Sequence, residues 1–284
     1  MPLGQNWPVE ELFPTLGQWP TNSPFANRLH RRLLHRATHT SIARRSYRPA
    51  STLAACFQMA ARLGLHEGIC NHFSALVPGH PELFLVNPYG WAFEEITASR
   101  LLVCDLHGHV VAGTGEPEAT AFYIHARLHL RKPSAAAAFH THMPHATALG
   151  MLEGPPLMWA GQTALKFYGR TSVDESYNGL ALDTSEGDRI AAAMGDADIV
   201  FLKNHGVMVT GPSIAEAWDD LYYLERAAEV QLKAMSTGRP LKPIPAHVAE
   251  ACYQQMRAGD PESARLHLES VKRILTAESR DFMR

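Results

Sequence analysis

The amino-acid sequence predicts a three-layer α/β/α fold with a mainly antiparallel central sheet. Short apolar runs typical of strands recur along the 284 residues, and two pairs of them are joined by tight turns typical of hairpins. Segments with helical periodicity and capping residues separate these runs. Hydrophobic residues make up 46% of the chain and charged residues 19%, a balance that suits a globular core. Helices that flank such a sheet on both faces give one layered domain.

The first part of the chain predicts an arm, two helices and three strands. Residues 1–23 contain four prolines and predict an extended arm, and the basic residues 24–46 predict a helix. An amphipathic helix follows over 51–65, with Ser51 as its cap and Gly64 at its end. The predicted strands, bounded by turn residues, are 84–87, 101–105 and 109–112.

The second part predicts further helices around a second hairpin. Ser185 and Asp188 resemble a capping pair, and Ser213 with Glu216 forms a capping box for a long helix. The predicted helices are 119–132, pieces of 144–168, 185–195, 213–235 and two at the C-terminus. The predicted strands are the one that ends at residues 140–142, then 198–203 and 207–210.

Composition excludes several classes of protein. The formal net charge of −2 gives no indication of nucleic-acid or membrane-surface binding. No apolar stretch approaches the ~20 residues of a transmembrane helix, and the N-terminus lacks the pattern of a signal peptide. The four cysteines are scattered, which predicts reduced thiols rather than disulfides. These observations predict a cytoplasmic protein that acts on a small molecule.

Three histidines follow apolar runs and predict a metal site. His140 and His142 end the run over 135–139, and His205 follows the run over 198–202. Side chains alternate along a strand, so His140 and His142 share a face, and His205 can complete the set from a neighbouring strand. Three neutral imidazoles with open positions are typical of a catalytic metal.

A simpler interpretation of the histidine motif stays open. The chain has 16 histidines, and two histidines one residue apart are also typical of polar side chains on an edge strand. Both segments, however, end at junctions between a strand and a turn, where functional side chains concentrate. The junctions favour the metal interpretation.

Several ordered segments resemble the class II aldolase/adducin family, and the resemblance covers roughly residues 50–240. The matching segments are 71–75, 84–90, 101–108, 138–142 with His125 before it, and 202–207. The resemblance implies a domain over 50–240, preceded by an arm and helix over 1–49 and followed by helices over 241–284 packed on the same domain. It also implies one divalent metal ion, zinc by default and iron, manganese or cobalt as alternatives.

The resemblance further implies a substrate-binding loop and a homotetramer with sites at subunit interfaces. The loop residues that correspond to the family's first loop are Asn71, His72 and Ser74. In the sugar-phosphate aldolases the first two of these positions are glycine and asparagine. We therefore expect the loop to contact a different substrate.

The chain also departs from the family aldolases at their acid/base residue. The position of their catalytic glutamate is Ala121, and the two serines that help to hold a substrate phosphate are Ala119 and Thr120. Metal ligands are therefore present without the usual acid/base and phosphate-binding groups. This pattern argues against a standard sugar-phosphate aldolase.

Two residues are candidates for the missing catalytic group. Glu118 lies one helical turn before Ala121 and is either a replacement carboxylate or a helix cap. His145 follows the histidine pair and either acts in catalysis or begins a helix. Packing or a strand end is the better explanation for several other side chains, namely Trp159, Phe167, Tyr168, Lys203, Tyr222, Tyr223 and Glu225.

Three hypotheses about function follow. The favoured one is a metal-dependent carbon–carbon lyase, of the aldolase or decarboxylase type, for a non-phosphorylated hydroxy- or oxo-acid or related carbonyl compound. The second is a non-haem iron oxygenase for an aryl pyruvate or mandelate-like compound, as in some relatives on this fold. The third is an adducin-like module without chemistry, although adducin itself lacks the complete triad.

Overall fold

The structure is a computed structural model that describes residues 39–180 and 183–284, with side chains from residue 47 onward. The predicted arm over 1–23 lies outside these residues, as does most of the basic segment 24–46. The helices are α1 (His39–Leu63), α2 (Ala119–Arg131), α3 (Pro144–Gly150), α4 (Gln162–Leu165), α5 (Thr184–Met194), α6 (Ile214–Met235) and α7 (Ala246–Glu278). None of the helices in this part of the chain has the length and apolar content needed to cross a membrane.

Eight strands of the described residues form one sheet. They are β1 (His72–Val77), β2 (His80–Val86), β3 (Leu102–Asp105), β4 (Val110–Ala112), β5 (Ala137–Thr141), β6 (Thr171–Asp174), β7 (Ile199–Leu202) and β8 (Gly206–Gly211). Their spatial order is β4-β3-β2-β1-β5-β8-β7-β6. Only the β6–β7 pair is parallel, which confirms the predicted mainly antiparallel sheet.

Helices cover both faces of this sheet. Phe73 and Phe139 stack on one face, with ring centroids 4.1 Å apart, in a core that α1 and α6 complete. On the other face, Ala138 packs with Ile124 of α2 and Ile190 of α5. Alternate residues of β5 therefore face different helical layers, as expected for a strand buried on both sides.

The first helix differs from its prediction. It already includes residue 39 and contains Pro49, so Ser51 is not an N-cap. The Ser51 hydroxyl instead donates to the Arg48 carbonyl at 3.2 Å. Gly64 does end the helix, since its φ of +66° lies in the left-handed region that favours glycine. The predicted start at Ser51 was wrong because the helix continues through Pro49 without a break.

Two further helix predictions were wrong in detail. Asp183, rather than Ser185, caps α5 by accepting hydrogen bonds from the Ser185 and Glu186 backbone N–H groups. Asp188 instead pairs with Arg127 of α2 at 2.7 Å. At the C-terminus a single helix, α7, replaces the two that were predicted, followed only by a short 3-10 turn over Asp281–Met283.

Buried charges attach α7 to the rest of the domain. The Lys166 ammonium lies 2.8 Å from Asp260 of α7 and 3.0 Å from Asp219 of α6. His267 of α7 also contacts Asp219, at 2.7 Å. A buried ammonium with several carboxylate partners resists separation, because removing one partner leaves an uncompensated charge.

Candidate metal centre

The three predicted histidines meet at one end of strands β5, β7 and β8. His140 lies on β5, where it pairs with His72 of β1 on one side and Met208 of β8 on the other. His142 follows the end of β5, and His205 lies in the turn between β7 and β8. Each offers one ring nitrogen, and these three atoms all lie within 4.8 Å of one another. The predicted juxtaposition is therefore present in the structure.

Hydrogen bonds leave the Nε2 atoms of two of these histidines free to bind a ligand. The His140 Nδ1–H donates to the Val207 carbonyl at 3.0 Å, and the His142 Nδ1–H donates to Glu67 Oε2 at 2.6 Å. Each Nδ1 is therefore occupied by a hydrogen bond, and in the neutral ring the lone pair lies on Nε2. The Nε2 of His142 is buried without a hydrogen-bond partner among the described residues, as a metal-binding atom would be.

Burial keeps the rings of His140 and His205 in the uncharged form that binds a metal. It lowers the pKa of His205 to about 4, and His142 and Arg189 shift that pKa in the same direction. Burial also holds the pKa of His140 well below its ordinary value. Neutral imidazoles that gather their nitrogens around one point fit a divalent metal ion.

Asn71 connects two parts of this centre. Its Oδ1 accepts hydrogen bonds from the backbone N–H of Glu67 at 2.7 Å and from that of His142 at 3.3 Å. Its side-chain NH2 group is buried and has no partner among the described residues. Asn71 thus fixes the Glu67–His142 pair and keeps a free donor beside it. Its predicted contact with substrate stays a prediction.

His72 and Ser74 belong to a buried chain of hydrogen bonds. His72 Nδ1 lies 2.7 Å from His125 Nε2, and Ser74 Oγ lies 2.5 Å from His125 Nδ1 and 2.8 Å from His129 Nε2. The chain ends where His129 Nδ1–H donates to the Ala135 carbonyl at 2.9 Å. Burial lowers the pKa of His72 to about 3 and that of His129 to about 4.

Glu118 caps helix α2. Its carboxylate accepts a hydrogen bond from the Ala121 N–H at 3.0 Å and another from the Thr120 hydroxyl. The group of described residues that could hold a metal contains no carboxylate. The cap therefore accounts for Glu118, and its catalytic role stays a prediction that these contacts do not support. Ala121 is buried and brings no polar atom to the position of the family glutamate.

His145 is held by a carboxylate on another helix. Its Nδ1–H donates to Glu225 Oε1 of α6 at 2.7 Å, and the same carboxylate accepts from the backbone N–H groups of His145 and Ala146. Through these backbone contacts the buried Glu225 caps the start of α3. A catalytic role for His145 stays a prediction, and the capping contact explains its position without one.

Two other sequence interpretations change. Lys203 is not a surface lysine, because its buried ammonium donates to the Gly154 carbonyl at 3.0 Å and also to the Leu152 carbonyl. The exposed aromatic side chain next to the triad is Tyr177, whose ring centroid lies 6.3 Å from that of His205. No local pattern indicated Tyr177, since it lies in an irregular segment.

Comparison with known proteins identifies the family. Residues 51–232 match the Class II Aldolase and Adducin N-terminal domain. This chain belongs to the class II aldolase/adducin family. A Caulobacter vibrioides protein that bears a class 2 aldolase name is 36% identical over 189 residues, which are 66% of this chain and 72% of that protein. An aldolase II superfamily protein from Pseudomonas syringae is structurally similar, with a TM-score of 0.80, 32% identity and coverage of 84% of this chain and 96% of the other.

Relatives within the class II aldolase/adducin family differ in their named activities. The 4-hydroxy-3-prenylphenylpyruvate oxygenase/4-hydroxy-3-prenylbenzoate synthase of Streptomyces roseochromogenus subsp. oscitans is 32% identical over 201 residues, which are 69% of this chain and 71% of that enzyme. Other relatives carry decarboxylase and adducin-related names. The family therefore includes relatives that carry enzyme names and relatives that carry adducin-related names.

Sequence reasoning about this class II aldolase/adducin domain missed Glu67 and the inner part of the histidine chain. His125 and His129 are four residues apart on α2, a spacing that places both on one helix face. That spacing could have indicated a row of polar side chains between this helix and the sheet. Glu67 lies in a loop before β1, and nothing in its local sequence indicated a contact with His142.

Proposed function

We propose that this protein is a metal-dependent carbon–carbon lyase for a non-phosphorylated hydroxy- or oxo-acid or a related carbonyl compound. The observation that carries the proposal is the gathering of His140, His142 and His205 with their ring nitrogens within 4.8 Å of one another. Three neutral imidazoles leave coordination positions open, which is typical of catalytic rather than structural metal sites. Zinc is the default, and iron, manganese and cobalt also suit imidazole ligands.

The groups that would hold a phosphate are missing or committed elsewhere. Ala119 has no polar side-chain atom, and the Thr120 hydroxyl donates to the Glu118 cap. The glutamate of the family aldolases is replaced by the buried Ala121. A substrate without phosphate is therefore the better fit.

A bound divalent metal would supply Lewis acidity toward the carbonyl and hydroxyl oxygens of the substrate. The chain's own groups orient what binds there. Val207 and Glu67 hold the rings of His140 and His142 through their Nδ1–H groups. The buried NH2 group of Asn71, which lacks a partner among the described residues, is a donor available to a substrate oxygen. Tyr177, 53% exposed, adds a phenol at the open side.

An oxygenase is the second candidate. It is favoured by the absence of the family glutamate, whose position is Ala121, because oxygen chemistry does not need that acid/base residue. The named activity of the Streptomyces roseochromogenus relative points in the same direction. The decarboxylase name of another relative, at 31% identity, supports carbon–carbon cleavage instead.

Assembly into a homo-oligomer, by resemblance a tetramer, is part of the proposal. Met151 and Leu152 are 65% and 43% exposed, and the Leu152 carbonyl accepts a hydrogen bond from Lys203, two residues from His205. This apolar segment lies close to the turn that carries a proposed ligand, so a neighbouring subunit that covers it would border the site. Light scattering tests the assembly, and a stable active monomer would contradict it.

The reaction is tested with protein purified without chelator or added metal. Metal content is measured first, and the protein is then incubated with a panel of 2-hydroxy and 2-oxo acids, with and without oxygen. A lyase releases cleavage products in both atmospheres, whereas an oxygenase consumes oxygen in proportion to product. The His140→Ala variant is the control for contaminating activity. A protein that holds no metal, even after it is offered zinc or iron, would overturn both candidates.

A further inference from the structure

The buried hydrogen-bond chain behind the triad has a fixed direction. It runs from His72 through His125 and Ser74 to His129, and it ends at the carbonyl of Ala135. A carbonyl oxygen only accepts, so His129 Nδ1 carries a proton and donates to it at 2.9 Å. The rings are buried, and no carboxylate contacts them among the described residues, so each is neutral and carries one proton.

Each step of the chain then determines the next. Because His129 Nε2 is unprotonated and lies 2.8 Å from the Ser74 hydroxyl, it is a closer acceptor for that hydroxyl than the Ala138 carbonyl at 3.5 Å, and Ser74 donates to it. The Ser74 oxygen is left to accept from His125 Nδ1–H at 2.5 Å, which leaves His125 Nε2 unprotonated. That atom accepts from His72 Nδ1–H at 2.7 Å. His72 Nε2 is therefore an acceptor, and it has no hydrogen-bond partner among the described residues.

The ring of His72 lies against the proposed metal centre. His72 of β1 pairs with His140 of β5, so their side chains leave the same face of the sheet. The two ring centroids are 4.8 Å apart. His72 is not one of the three residues whose nitrogens gather in the triad. An acceptor that lies beside the triad, rather than within it, is placed to meet a group bound at the metal.

We propose that the Ala135 carbonyl, acting through His129, Ser74 and His125, fixes the tautomer of His72 so that its Nε2 accepts a hydrogen bond from a substrate hydroxyl. His72 is then a specificity-determining residue, and the other three are positioning residues. A lone pair attracts an O–H donor and repels a phosphate or carboxylate oxygen. The hydroxyl part of this inference rests on the proposed function, whereas the tautomer does not.

The tautomer is tested directly in metal-free protein. Solid-state nuclear magnetic resonance of protein labelled with 15N at histidine distinguishes protonated from unprotonated ring nitrogens, and the His72→Phe variant identifies the His72 signals. We expect a protonated Nδ1 and an unprotonated Nε2. A proton on Nε2 of His72 would overturn the inference, whatever reaction the enzyme catalyses.

The role of the chain is tested by interrupting it away from the site. Ser74→Ala removes the only hydroxyl link, so the His72 tautomer should become mixed, whereas Ser74→Thr retains the hydroxyl and should preserve it. A His72 tautomer that is equally pure in the Ser74→Ala variant would contradict fixation by the chain. If either variant does not fold, the tautomer of the unmodified protein still decides the direction.

The hydroxyl contact is tested with the smallest 2-hydroxy acid and its methyl ether. The affinities of zinc-loaded protein for glycolate and methoxyacetate are measured by calorimetry in wild type and in His72→Phe. For each protein we take the ratio of the glycolate affinity to the methoxyacetate affinity. Methylation weakens metal chelation in both proteins, so the difference between the two ratios isolates the hydrogen bond to His72. We expect the ratio to be about tenfold larger in wild type. Equal ratios, or no glycolate binding at millimolar concentration, would overturn the contact while leaving lyase activity to its own test.

Discussion

Glu67 Oε2 accepts a hydrogen bond from His142 Nδ1–H at 2.6 Å, and Asn71 holds both residues through its Oδ1 atom. A carboxylate behind a metal-binding histidine fixes the tautomer and makes the opposite nitrogen more basic. The Glu67 side chain is 69% exposed, so the contact contributes little to folding stability by itself. Its value lies in what it does to His142.

Glu67→Gln should therefore weaken metal binding while leaving the fold intact. The expected loss in zinc affinity is about 10- to 100-fold, as for other residues behind metal ligands. Competition with a chromophoric chelator measures it. Glu250→Gln changes an exposed glutamate on α7 and is the matched control. Equal affinities for the two variants would show that Glu67 does not act on the metal.

Removal of a triad histidine should abolish metal binding or weaken it severely. Each of His140→Ala, His142→Ala and His205→Ala removes one of only three protein ligands. His145→Ala is the control, because the His145 ring donates to Glu225 and is not in the triad. Elemental analysis of the four variants after dialysis gives the stoichiometry. Full metal content in the His140→Ala/His142→Ala double variant would refute the site.

Gly206 is packed so closely that it controls the position of His142. A Cβ on Gly206 would meet the Thr141 carbonyl oxygen at 2.6 Å and His142 Cδ2 at 2.7 Å, distances that require atoms to move. Gly206→Ala should cost about 1–3 kcal/mol of unfolding free energy and reduce zinc affinity. Gly259→Ala, in an open position on α7, should instead be neutral or stabilise by up to about 1 kcal/mol. Chemical denaturation and zinc titration compare them, and identical behaviour of the two variants would contradict this account.

The parts of the fold that the sequence predicted are those written in local patterns. The capping box at Ser213 and Glu216 predicted the start of α6, and the alternation of side chains predicted that His140 and His142 share a face. The turn at His205 was recognisable because a glycine follows it. Within each of these signals, the residues that form it lie only a few positions apart in the sequence.

The parts that the sequence did not predict depend on distant contacts. Glu67 reaches His142 across 75 positions of sequence, and Glu225 reaches His145 across 80. Tertiary packing, rather than local preference, decides such cases.

Acid should destabilise the metal-free protein through its buried histidines. Burial lowers the pKa of His129 from 6.5 to about 4. As the pH falls below 6.5, the unfolded chain takes up a proton that the folded chain refuses until about pH 4. The free energy of unfolding is therefore highest above pH 6.5. It falls as the pH is lowered from 6.5 to 4, by about 3 kcal/mol for this residue.

The His129→Phe variant should show a smaller slope of the unfolding free energy against pH, because one proton fewer is taken up on unfolding. Urea unfolding at several pH values between 4.5 and 7.5 gives the slope of the unfolding free energy against pH. His247→Gln, an exposed histidine on α7, should retain the slope of the unmodified protein. An unchanged slope in His129→Phe would mean that His129 is protonated equally in both states.

Sugar phosphates should be poor substrates, because the start of α2 offers no side chain to hold a phosphate. Ala119 carries a methyl group, and the Thr120 hydroxyl is committed to the Glu118 carboxylate, which would itself repel an anion. L-fuculose 1-phosphate is the test compound, assayed with zinc-loaded and iron-loaded protein beside the acids of the substrate panel. We expect its kcat/KM to lie far below the roughly 10⁴–10⁸ M⁻¹s⁻¹ of typical enzyme–substrate pairs. A kcat/KM within that range would show that the protein acts as a sugar-phosphate aldolase and that another part of the chain binds the phosphate.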